Sequence, residues 1–148
     1  TVYCANSFAA YKRKALEHIG WCKSGVLMGE GMHACSMMLV NGFRIAHVAV
    51  AVVYHSHNYS MQQEFKRYFD LGAFFSKEQW ILERYGTANS EGFRFVKSEI
   101  AFLLKGGFIR YIPASVLRNA AKWWGFKLGH LNPYLPGWMV RWASMHSK

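Results

Sequence analysis

Acidic side chains are scarce in this chain of 148 residues: eight Asp and Glu stand against eighteen Lys and Arg, for a formal charge of +10. The only aspartate is Asp70, so there is no Asp-x-Asp pair to offer a hard divalent ion two neighbouring carboxylates. After Glu99 the acids stop altogether, while Lys105, Arg110, Arg118, Lys122, Lys127, Arg141 and Lys148 continue. Such a tail suits an anionic surface. Cysteine is also sparse. Cys4, Cys22 and Cys35 are odd in number and lack CxxC spacing, which argues against a disulfide framework or a zinc ribbon and fits a reducing cytoplasm. Cys4, Cys22, His33 and Cys35 are too scattered to read as a soft-metal set, so the thiols read as core residues. No uninterrupted apolar run reaches the roughly 18 to 20 residues that a membrane span requires, which favours a soluble or peripheral protein. The chain opens on Thr1 without an initiator Met or a signal segment, and residues 2–8 read as a strand running into a site. The expectation is that the natural N-terminus lies upstream.

What is present is organised around residues 28–60. Gly29-Glu30-Gly31-Met32-His33 opens an amphipathic helix that runs from Met32 to Val40 and stops at Asn41-Gly42. The β-branched run Ile45–Val53 follows and ends at Tyr54-His55-Ser56-His57. It reads as a strand buried on both faces, giving loop, helix and strand in that order. In an α/β domain, a carboxylate at a helix start and a histidine beyond the carboxyl end of a strand can share one crevice, where such sheets bind ligands.

On either side the period is helical. Ala15, Leu16 and Ile19 mark a short helix that stops at Gly20. From Met61, Phe65, Tyr68, Phe69 and Gly72 share one side of a helix that could continue to Gly86. Ser90 caps a helix over Glu91–Lys105, and Pro113 opens one that reaches about Leu128. A last amphipathic segment runs from Trp138 to His146. The expected plan is an α/β part over residues 1–60 and an all-helical region over 61–148.

Several clusters occur together in a recognisable order. They are Asn6-Ser7-Phe8-Ala9-Ala10-Tyr11, Gly29-Glu30-Gly31-Met32-His33, Val53 to Ser60, Phe65-Lys66-Arg67-Tyr68-Phe69-Asp70-Leu71-Gly72, and Ser144-Met145-His146. Together they resemble the C-terminal, acceptor-side half of bacterial family 2 glycosyltransferases of the rhamnosyltransferase-like group. The resemblance covers nearly the whole chain, and the combination is far more specific than any one motif.

The resemblance implies a partial GT-A fold followed by an all-helical C-terminal extension. It also implies an inverting transfer of rhamnose from a nucleotide donor, dTDP-rhamnose, to a glycan or lipid-linked acceptor in surface polysaccharide synthesis. The donor-binding half with its Asp-x-Asp, and the Mg or Mn ion it holds in the complete enzyme, are not supplied by this chain, so no transfer is expected from it alone. Glu30 matches the first member of the family's Glu-Asp pair. The second member, the base that takes the acceptor proton, is replaced by Gly31. Glu30 is therefore the catalytic candidate, against the plainer reading of a carboxylate that stabilises a helix N-terminus. Asn6, Ser7, Gly29 and His33 match positions beside the donor sugar and acceptor, and Asn6-Ser7 also reads as a self-satisfied turn. His55 matches the histidine that completes the metal site or touches the diphosphate. His57 is left without a role.

In the tail, Trp123, Trp124, Phe126, Trp138 and Trp142 interleave with Arg118, Lys122, Lys127 and Arg141. Two readings stand open. The aromatics can enter a lipid interface while the cations meet anionic headgroups, or the aromatics can face the core beneath a solvated charged face. The first would place a cytoplasmic protein at the inner face of the plasma membrane. It also sustains an alternative function, a membrane-surface binding or scaffolding protein that has lost catalysis. Nucleic-acid binding is weaker, because no binding motif accompanies the charge.

Overall fold

The computed structural model describes residues 8–25, 28–86 and 89–146, which fall into two units divided between Asn58 and Tyr59. In the second, Ser60 starts helix α3, Met61–Lys77, through a reciprocal cap. Its hydroxyl accepts the Gln63 N–H at 3.3 Å, and its own N–H donates to the Gln63 side-chain oxygen at 2.8 Å. Two otherwise orphaned donors are satisfied at once, which fixes where the helix begins.

The chain does not continue unbroken to Gly86. Glu78 leaves helical geometry at φ −114°, ψ 45°, and a separate short helix, α4 (Gln79–Tyr85), follows. The Glu78 carboxylate is buried, where it accepts the Trp80 indole N–H at 2.8 Å. Helix α5, Asn89–Lys105, leads through a 3-10 turn at Ile109–Tyr111 into α6, Ile112–His130, with Pro113 in its first turn. A second 3-10 turn, Asn132–Tyr134, precedes α7, Gly137–Ala143. The expected all-helical C-terminal region is therefore present.

Helices α3 and α6 form the heart of this unit, and glycine sets how near they come. Gly125 and Gly129 lie one helical turn apart on α6 and are buried. A Cβ added at Gly125 would meet the Phe65 carbonyl oxygen, one at Gly129 the Phe69 carbonyl oxygen, and one at Gly72 of α3 the Phe126 carbonyl oxygen. All three obstacles are backbone, which cannot rotate aside. The two helices touch main chain to main chain, as small residues at i and i+4 allow.

Phe69 on α3 is 1% exposed, and Phe75 lies 6.1 Å from Phe126 between ring centroids. Glu64 on α3 faces Arg118 and Lys122 on α6, each at 3.6 Å. Arg118 also donates to the Tyr59 carbonyl at 3.1 Å. Asp70 is buried, and its carboxylate accepts the Met145 N–H at 3.0 Å, tying the segment after α7 back to α3. Asn119 on α6 donates to Glu99 on α5 at 2.8 Å.

The first unit is smaller. Helix α1, Arg13–His18, carries an exposed Arg13–Glu17 pair at 2.8 Å and buries Ala15. Helix α2, Glu30–Val40, buries Ala34, Cys35, Ser36 and Met38; Leu39, expected to pack inward with Cys35 and Met38, is only half-buried, and Cys22, read as a core thiol, is exposed. Asn41 ends it by donating its side-chain amide to the Met37 carbonyl at 2.8 Å.

The α/β expectation fails here. Among the described residues there is no β-strand, and they give no support to a partial GT-A sheet. Residues 43–58 run without helix or strand, broken by a turn in which the Ala51 N–H donates to the Val48 carbonyl at 3.0 Å. Val50 is 90% exposed and Val52 76%. A β-branched run gains its propensity from packing on a pleated surface, and its backbone groups need neighbouring strands. No neighbouring strand exists among the described residues, so the run stays irregular and wet. The strand expected over residues 2–8 lies outside the described residues except for Phe8.

Candidate functional site

Gly29 adopts φ 91°, ψ 8°, a left-handed geometry that suits glycine, and turns the chain into α2. Helix α2 begins two residues earlier than the apolar period indicates, so Glu30 is its first residue rather than part of a loop. The carboxylate stands at the positive end of the helix dipole, a favourable place for an anion. Glu30 is half-buried, and the following Gly31 is buried. The His33 N–H donates to the Gly29 carbonyl at 2.9 Å, the first bond of the helix. Glu30 and His33 stand three residues apart, so their side chains leave the same side of α2. The structure thus joins Gly29, Glu30 and His33 in one helical turn.

His55 is placed differently, in the exposed segment 43–58, where its ring meets that of His57 edge to face with centroids 4.4 Å apart. The rings touch although no strand aligns them among the described residues. Among the described residues no group of three or more His, Cys, Asp or Glu is arranged to hold a metal ion. Two imidazoles offer nitrogen, whereas Mg and Mn prefer oxygen ligands. The described donor set therefore does not fit such an ion by itself. Asn6 and Ser7 lie outside the described residues.

A hollow of about 810 Å³ opens elsewhere in the same unit. Ala15, Cys35, Met38 and Phe43 give it an apolar floor, and Lys12 and Arg44 add cations. Among the described residues, none of Gly29, Glu30, His33 and His55 lines it. Its wall comes from three separated stretches, 8–15, 35–38 and 43–51, and local spacing gives no sign that they meet. The Tyr11 hydroxyl and the Cys35 thiol stand 4.0 Å apart across two of these stretches, a contact that no local spacing announces.

No family model matches the chain, and no solved structure does. Two relatives do. The chain is 45% identical over 146 residues to the O-antigen chain rhamnosyltransferase WbaN of Salmonella anatum. It is 44% identical over 146 residues to the O-antigen chain rhamnosyltransferase RfbN of Salmonella typhimurium. In both cases the match takes in 99% of this chain and 46% of the relative, so the chain spans about half the length of the proteins it matches. Over essentially all of its own length, this chain is homologous to a portion of rhamnosyltransferase-like proteins.

Proposed function

We propose that this chain supplies the acceptor-side portion of an inverting glycosyltransferase that moves rhamnose from a nucleotide-diphosphate donor, dTDP-rhamnose, to a glycan or lipid-linked acceptor. The product would be a surface polysaccharide of the O-antigen kind. One observation carries this reading: the match to two rhamnosyltransferases over 99% of the chain. In the complete protein the run Ile45–Val53 would find its neighbouring strands in a GT-A sheet, and the chain would work in the cytoplasm.

An acceptor hydroxyl attacks the anomeric carbon from the face opposite the diphosphate. The new C–O bond forms as the old one breaks, the nucleotide diphosphate leaves with the bonding pair, and the hydroxyl proton must go to a base. In this reading the Glu30–Gly31 corner stands beside the acceptor and His55 beside the diphosphate. Glu30 brings a carboxylate, but Gly31 occupies the place where the family carries the base. A divalent ion would be held by oxygen ligands outside this chain and would stabilise the departing diphosphate.

The test is an exchange. The matched region of WbaN is replaced by this chain, and O-antigen is read on a gel from a strain that lacks its own enzyme. We expect weak or absent product with Gly31 and recovered product with Gly31→Asp. Absence in both would overturn the catalytic reading. It would leave the alternative, a membrane-surface protein that has lost catalysis, which Gly31 and the apolar outer face of α6 favour.

A further inference from the structure

Helix α6 has two working faces. Ser115, Gly125 and Gly129 are buried along the one that meets α3. At 100° per residue, Val116, Leu117, Ala120, Trp123 and Trp124 gather on the other, and Leu131 caps the helix end. That second stripe is in water: Val116 is 49% exposed, Leu117 57%, Trp123 54% and Trp124 62%, and Leu131 beyond it is 50% exposed. Lys127 stands among them with its ammonium 5.8 Å from the Trp123 ring centroid.

We propose that this outward face of α6 docks flat on an anionic lipid bilayer. Nineteen residues make a rod of roughly 28 Å, and no helix among the described residues is long and apolar enough to cross a membrane. An amphipathic helix with indoles and basic side chains along its edge lies in the interface plane.

Charge selects this occupant over a second copy of the chain. From Ala101 to Lys148 there are seven Lys and Arg and no acid. Two such surfaces brought together would oppose like charges, whereas an anionic bilayer complements them. Arg118 and Lys122 are partly neutralised by Glu64. Lys127 stands within the apolar stripe itself, and Lys105, Arg110 and Arg141 add positive charge to the same unit. This inference stands apart from the catalytic reading and survives its failure.

The experiment floats the chain with phosphatidylcholine vesicles, with and without phosphatidylglycerol. We expect recovery with the anionic vesicles only, weakening as salt rises. Leu117→Gln with Trp124→Gln should lower partitioning at least ten-fold with helix content by circular dichroism unchanged. Lys127→Glu, which leaves the apolar stripe intact, should cost about five-fold or more, and it serves as the test if the double variant fails to fold. Val50→Ser, in the other unit, should change nothing. Equal recovery with neutral and anionic vesicles, or none with either, overturns the proposal. So does a dimer in sedimentation equilibrium that Trp124→Gln dissolves, since that would give the face to a second copy.

Discussion

The helical pair α3 and α6 and the segment 43–58 are both rich in apolar side chains, yet they end in opposite states. In the pair, Phe69 is 1% exposed and the backbones touch through three glycines. In the segment, Val50 is 90% exposed and Tyr54 lies fully in water. Hydrophobic content does not separate them. A helix satisfies its own N–H and C=O groups and needs a neighbour only for one face, whereas a strand needs neighbours for its backbone as well. Helix α3 finds its partner in α6; the segment finds no partner strand among the described residues.

The largest effect should come from emptying the pair. Phe69→Ala removes a fully enclosed ring and should cost about 3–5 kcal/mol, read as a fall in the urea midpoint with the slope unchanged. A loss under about 1 kcal/mol would mean that α3 and α6 do not form the stabilising contact.

Gly129→Ala sharpens the same contact because two effects oppose each other. Alanine favours an α-helix over glycine by about 1 kcal/mol, but its methyl would strike the Phe69 carbonyl. Overpacking of this kind costs about 1–3 kcal/mol, and with backbone on the far side the upper part of that range applies. The clash wins, so the variant should melt lower than the parent. A higher melting temperature would show that the helices stand further apart.

How much of this was legible follows the same division. The period through Phe65, Phe69 and Gly72 predicts α3 because helical spacing is local, and the stop at Asn41-Gly42 is realised by the Asn41 side chain. The break at Glu78 is not legible. It goes with a buried Glu78 carboxylate that accepts the Trp80 indole N–H, and burial of a carboxylate is not marked by helical spacing. The strand over Ile45–Val53 is misread for the opposite reason: β-branched composition reports what would suit a sheet, not whether one is there. At the candidate site, Gly29, Glu30 and His33 are neighbours in sequence, and one helical turn keeps them together. His55 lies over twenty residues on, past the helix and the irregular run, and no local rule fixes its place.

A smaller effect belongs to the cap. Ser60→Ala removes the acceptor for the Gln63 N–H and should cost about 1 kcal/mol. It should lower the melting temperature without altering vesicle binding, because α3 lies on the other side of α6 from the proposed docking stripe.

The smallest expected effect does most to sharpen the comparison. Val50→Ser exchanges a β-branched apolar side chain for a polar one, and in this chain it should move stability by less than about 0.5 kcal/mol, because the valine is already in water. Amide hydrogens over 43–58 should exchange with little protection, while those in the middle of α3 and α6 exchange only on global opening. The same substitution made in the WbaN exchange protein should cost about 1 kcal/mol or more, since a strand flanked by neighbours would bury that side chain. Equal, negligible costs in both settings would mean that the segment is irregular by nature. Unequal costs would mean that its β-branched residues are written for a partner, and that the contrast between the two regions reflects which contacts each can make within this chain.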